Sequence, residues 1–268
     1  MTRVLAALDN SVVAQPVFLT AAAVARLLGA ELEVVHVRTD GERVARSVAG
    51  RGGLSLVELE GPVVETLVEA ASQEDVALAV LGARATPGGA RPAGSTAIGI
   101  ATSVAKPVVL VPSETPHPGR MRRILVPLEG TASTSLAPRG VIELASEGSL
   151  DVIVLHVLDE ASLPAFTDQP QHETEAWARE FLERYCPSGV DCVRFEMRVG
   201  RGEDIVPLVG EETDSDLIAL GWSQVLAPDR APVVQAVLER GHLPVLLVPV
   251  LTSVEGRESS RRLQSSRA

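Results

Sequence analysis

The chain has 268 residues, of which 46% are hydrophobic and 22% charged, with a formal net charge of −11. That length suits two domains with a core each, and that charge sets the surface against nucleic acid and anionic lipid. No apolar run is long enough to span a bilayer and no leader pattern opens the sequence, so the expected location is the cytoplasm.

Aromatic residues make up only 3% of the chain, so the cores must be aliphatic, as in parallel strands buried between helices. Residues 3–8 form an apolar run that ends at Asp9-Asn10-Ser11, which reads as a buried strand running into a turn. Residues 13–28 are rich in Ala and Leu and stop at Gly29, a helix terminator; Pro16 fits only in the first turn. A strand over 31–37 follows. The basic, Gly-rich stretch 38–53 has no convincing period and is expected to be loop. Residues 54–59 read as strand, Gly61-Pro62 opens a helix to Ser72, and 76–81 is a strand ending at Gly82. A loop over 84–93 carries Pro87, Gly88, Gly89 and Pro92. Gly94-Ser95 starts a helix that stops before Pro107, and 108–111 is the next strand. Residues 112–120 form a proline-stiffened linker.

The second half repeats the first. Val4-Leu5-Ala6-Ala7-Leu8-Asp9 returns as Ile124-Leu125-Val126-Pro127-Leu128-Glu129, and Val34-Val35-His36-Val37 as Val154-Leu155-His156-Val157. The run Pro107-Val108-Val109-Leu110-Val111-Pro112 returns as Pro244-Val245-Leu246-Leu247-Val248-Pro249. Strands are expected near 123–128, 150–157, 191–198, 216–221 and 244–249, and helices near 134–147, 171–185, 203–213 and 230–241. The expected domains are 1–113 and 121–251, followed by a polar, disordered tail over 252–268. Alternating strands and helices imply right-handed crossovers: an α/β fold of two tandem doubly wound parallel-sheet, Rossmann-like domains. Ligands of such sheets lie beyond the carboxyl ends of the strands, which puts Asp9, Val37 and Gly82 on one rim.

These strand ends, together with Gly94-Ser95-Thr96 and the closing Lys106-Pro107-Val108-Val109-Leu110-Val111-Pro112, resemble the universal stress protein family in both order and spacing. The resemblance covers nearly everything except the tail. It implies the adenine nucleotide alpha hydrolase-like form of the fold. It also implies that the last strands of the two halves pair antiparallel as an internal pseudo-dimer, which leaves room for a homodimer of whole chains. Members that bind ATP use an Asp after the first strand, the backbone of a Val after the second, and a Gly-x-x-Gly loop leading to Gly-Ser/Thr at a helix start. An Asp accepts from the nucleoside, small residues let backbone amides approach phosphate, and the helix start favours the anion.

By that similarity, Ala7, Leu8 and Asp9 would hold the nucleoside, Val37 would contact adenine, and Gly82, Gly94, Ser95 and Thr96 would face phosphate. Ala85 stands where the second loop glycine is expected, the loop is shorter than the family's, and Pro87 and Pro92 each remove an N–H. Arg84 and Arg91 would compensate with charge. ATP or AMP is the implied ligand, with Mg²⁺ accompanying ATP. The implied role is a stress-response regulator that binds nucleotide in its first half. The alternative is a nucleotide-free module that binds a protein partner. Enzymatic activity is limited to weak ATP hydrolysis at most, and no catalytic residue is assigned.

In the second half, Glu129 replaces the Asp and Trp222-Ser223-Gln224 follows Gly221, so no ATP is expected there. His36 and His156 recur at matched strand positions, where packing or a hydrogen bond near the strand end is their expected task. Cys186 and Cys192 fit either a local disulfide or two thiols and have no metal-ligand spacing. The sequence contains no Walker loop, GxGxxG fingerprint, HExxH or GxSxG elbow.

Overall fold

Strand and helix alternate from the first residues. The computed structural model describes residues 1–38, 44–84, 93–116, 119–128, 150–158, 193–226 and 231–250, together with 141, 176, 179, 180 and 183. The first half runs β1 (Arg3–Ala7), α1 (Ala14–Leu28), β2 (Glu31–Val37), α2 (Val44–Arg51), β3 (Leu56–Leu59), α3 (Val63–Ser72), β4 (Val76–Gly82), α4 (Ser95–Ser103) and β5 (Val108–Val111). The second runs β6 (Arg123–Pro127), β7 (Asp151–Leu158), β8 (Val193–Val199), α5 (Gly202–Glu212), β9 (Leu217–Trp222), α6 (Pro232–Arg240) and β10 (Val245–Pro249). Of the expected helix at 171–185 only Ala176, Arg179, Glu180 and Glu183 are described, all helical, and of that at 134–147 only the buried, helical Val141; the tail beyond Val250 lies outside the described residues.

Local sequence explains most of these bounds. Pro16 sits in the first turn of α1, where its missing N–H costs nothing. Gly29 closes α1 in the left-handed conformation at φ 59°; its N–H bonds to Arg26 O and that of Ala30 to Ala25 O. The stretch 38–53 corrects the sequence reading, because α2 lies within the expected loop. Ala45, Val48 and Ala49 recur at helical spacing and are buried, while Arg46 and Arg51 point the composition toward solvent. Asn10 Oδ1 also accepts the Ala45 N–H at 3.2 Å and so ties the first turn of α2 to the end of β1. The basic charge is answered by β3 and the residue after it: Arg46 pairs with Glu58, and Arg38 reaches Glu60 at 2.9 Å.

The ten strands among the described residues form one sheet in the order β3-β2-β1-β4-β5-β10-β9-β6-β7-β8. Every pairing among them is parallel except one. β5 and β10 meet antiparallel at the centre, with Leu110 opposite Val245, Val109 opposite Leu246 and Val108 opposite Leu247. The expected internal pseudo-dimer is therefore the observed architecture. All four residues of β5 are buried, and side-chain alternation shares them between the two cores: Val109 and Val111 face the layer of α1 and α2, whereas Val108 and Leu110 face the layer of α3 to α6. Both cores continue across the β5–β10 junction. Burying each such side chain contributes roughly 1.5–3 kcal/mol, so the junction holds the halves together through cores that they share.

Candidate functional sites at the two rims

Each half reverses its strand order beside its first strand: β1 lies between β2 and β4, and β6 between β7 and β9. The chain leaving β1 enters α1 on one face, and the chain leaving β4 enters α4 on the other. These departures open a crevice at the carboxyl ends of the strands, where ligands of doubly wound sheets lie.

In the first half the register pairs Ala7 with Val35 and with Leu81, which brings Asp9, Val37 and Gly82 to nearly one level, as the sequence predicted. Ala7 ends β1, and the buried Leu8 prolongs the pairing through its N–H to Val35 O at 2.9 Å. Asp9 is exposed. Its Oδ1 accepts from the Ser11 N–H at 3.0 Å and from the Ser11 hydroxyl at 2.6 Å, and Ser11 Oγ accepts the Val13 N–H at 3.1 Å. This chain of bonds shapes the turn into α1 and fixes where the carboxylate stands. Val37 is buried at the end of β2.

Across the crevice, Gly94 precedes α4 without a side-chain cap. The first intrahelical bond runs from the Ile98 N–H to Gly94 O at 3.0 Å, so the amides of Ser95, Thr96 and Ala97 come before it at the positive end of the helix. Ser95 and Thr96 are exposed. The Gly94 N–H is already engaged with Ala83 O at 2.7 Å. Gly82 is small for a structural reason: a Cβ there would meet Val13 Cγ1 at 3.1 Å, because α1 packs directly on the end of β4. Arg84 donates from Nη2 to Leu238 O at 3.4 Å, in the last turn of α6 in the other half. Arg91, Ala85, Pro87 and Pro92 lie outside the described residues, as does Glu129 of the second half.

Of two further features of this rim, sequence reasoning anticipated the first and missed the second. His36 Nδ1 bonds to Leu8 O at 2.8 Å, and its Nε2 faces Asn10 Nδ2 at 3.4 Å; His156 repeats the first contact on Leu128 O at 3.0 Å. The expected hydrogen bond near the strand end is present in both halves, and the recurrence of the histidine was its signal. The role of Asn10 had none beyond its turn position.

The second rim carries a cavity of about 610 Å³ lined by Leu128, Val157, Gly202, Trp222, Ser223 and Val234, among others. Strand pairing sets Gly82 opposite Val111 and Gly221 opposite Val248, so Trp222 stands where the first half has Ala83. Its side chain is 95% buried, being 5% exposed, and fills the wall that stays small in the first half. Gln224, at a left-handed φ of 58°, crosses to the first half and donates from Nε2 to Ala101 O at 3.1 Å and Val104 O at 2.7 Å, at the end of α4.

A family model, that of the universal stress protein family, matches residues 121–249. A protein of Pseudomonas aeruginosa UCBPP-PA14 assigned to that family superposes with a TM-score of 0.65 at 14% identity, covering 93% of each chain. A universal stress protein of Archaeoglobus fulgidus DSM 4304 superposes with a TM-score of 0.61 at 14% identity, covering 92% of this chain and 96% of its own. A universal stress protein solved in complex with cAMP is similar over 48% of this chain and 98% of its own, at 17% identity and a TM-score of 0.39. No curated protein matches the sequence. Residues 121–249 thus match the universal stress protein family, and nearly the whole chain shares the fold of solved proteins described as universal stress proteins.

Proposed function

We propose that the protein is a stress-response regulator that binds an adenine nucleotide at the rim of its first half, with residues 1–113 forming that domain and 121–251 its partner domain. One observation carries the reading. Asp9 follows the tip of β1, the uncapped start of α4 follows the tip of the neighbouring β4 on the opposite face of the sheet, and Ser95 and Thr96 stand exposed there. An exposed carboxylate held by its own turn suits the hydroxyl donors of a ribose. The amides of Ser95, Thr96 and Ala97 suit an anion, with no lysine required. Val37 supplies an apolar neighbour for the base. Mg²⁺ would accompany ATP to offset the negative surface. ATP or AMP is the ligand class, and the output is a change of shape or partner.

A second reading, a nucleotide-free module for a protein partner, draws on Gly82 and Arg84. The first is occupied with packing against Val13 and the second with Leu238. Calorimetric titration with ATP and AMP, with and without Mg²⁺, separates the two. Saturable heat that Asp9→Ala removes supports the nucleotide reading. No heat and no thermal shift at millimolar ligand leave the second.

A further inference from the structure

Antiparallel pairing at β5–β10 has a geometric consequence: the strand tips of each half lie level with the strand starts of the other. A helix that follows the fourth strand of its half begins at its own rim and ends beside the opposite one. α4 therefore starts at Gly94, on the first rim, and its last carbonyls sit on Gln224, just past β9. α6 starts at Ala231, on the second rim, and its last turn is met by Arg84, just past β4. Both helices pack in the same layer.

We propose that the two rims are coupled through these two helices, with Gln224 and Arg84 as the positioning residues. The idea rests on the nucleotide reading for its ligand and on the cross-contacts for its mechanism. Gln224 holds a backbone conformation that side-chain-bearing residues rarely adopt. That conformation aims its amide at two carbonyls which the end of a helix leaves without intrahelical partners. Ser223 and Trp222, its immediate neighbours, line the second cavity. A change in the wall of that cavity moves the cap of α4, whose other end is the first rim's anion seat. In the reverse direction, Arg84 lies against Gly94, whose Cβ position is 4.0 Å from Arg84 Cα. An anion on α4 competes with Leu238 O for the guanidinium and so alters the hold on α6, whose start lines the second cavity.

Trp222 supplies the readout, because the only other tryptophan, Trp177, is removable as Trp177→Phe. In that background and without ligand, Arg84→Ala shifts Trp222 emission. In the full-length chain, Gln224→Ala raises hydrogen exchange of the Ile98 amide, at the far end of α4, by about fivefold, while Gln224→Met, equally long but unable to donate, does the same. Saturating ATP shifts Trp222 emission as well. If exchange changes only at 102–104 and emission is unmoved by Arg84→Ala, the coupling is overturned. Calorimetric heat from ATP with unmoved Trp222 emission also overturns it. The absence of heat overturns the nucleotide reading instead, and the two ligand-free measurements still decide the coupling.

Discussion

His36 donates through Nδ1 to the carbonyl of Leu8 at 2.8 Å, which fixes the proton on that nitrogen because a carbonyl can only accept. Nε2 then receives Asn10 Nδ2, and Asn10 passes the restraint to α2 through its contact with Ala45. His156 shares the first step on Leu128. Nitrogen-detected NMR should find both rings in the Nδ1–H form. His36→Ala leaves a buried carbonyl without its partner and should lower stability by about 1–3 kcal/mol in denaturant titrations. An Nδ1 without its proton in either ring would refute the assignment.

Asp9 has one observed duty, holding the turn through Ser11, and one proposed duty, toward the nucleoside. Asp9→Asn keeps an acceptor for Ser11 and so the turn, whereas Asp9→Ala loses it and should cost about 1 kcal/mol. Both variants should weaken nucleotide binding by roughly tenfold or more, since an uncharged group makes a weaker bond to a ribose hydroxyl. Affinity that survives in either, read by calorimetry, would move the nucleoside away from β1.

The two rim glycines should behave in opposite ways. Gly82→Ala drives a methyl against Val13 at 3.1 Å and should destabilise by about 1–3 kcal/mol. Gly94→Ala meets nothing closer than Ala83 O at 3.5 Å, at an ordinary φ of −66°. Its melting temperature should stay within a few degrees of the parent, and its loss should appear in nucleotide affinity. Thermal scans of the two variants side by side check the contrast.

Leu110 is 1% exposed and pairs with Val245 across the antiparallel junction of the two halves. Leu110→Ala should cost about 2–5 kcal/mol. Because both cores run through this junction, unfolding should remain one transition. Two resolved calorimetric peaks in the parent protein would contradict the shared core.

The Arg46 side chain hydrogen-bonds Glu58, and its charge reinforces the effect, holding that carboxyl below the usual carboxylate range. Arg3 does the same for Asp75, again first by hydrogen bonding. A lowered folded-state value means that the contribution of the pair is present above the ordinary carboxylate range and is lost as pH falls through the lowered value. Arg46→Ala should return the Glu58 titration, followed by carboxyl NMR, toward its ordinary midpoint. These pairs are solvent-exposed, so neutral-pH stability should scarcely move.

Most strands were legible because they are short apolar runs bounded by turn residues, and duplication offered the first, second and last of each half twice. α2 was hidden because only Ala45, Val48 and Ala49 face inward, among arginines and glycines that read as loop. The positions of Asp9, Val37 and Gly82 at the rim were legible because strand ends are predictable, and that of Gly94 because Gly-Ser marks a helix start. The engagement of Arg84 with Leu238 and of Gln224 with Ala101 and Val104 was not. Each acceptor is a backbone carbonyl, which leaves no trace in residue identity, and each pair lies more than a hundred positions apart. Gly82 shows the limit from the other side: its smallness suggested room for phosphate, and Val13 takes that room.

The joining of β5 to β10 within one polypeptide has an evolutionary corollary. When two identical subunits meet on a dyad, any substitution is inherited by both clefts at once. Covalent fusion ends that obligation, so Ala83 and Trp222 can occupy matching posts with contrary bulk, and the protein carries two non-equivalent rims in fixed one-to-one proportion.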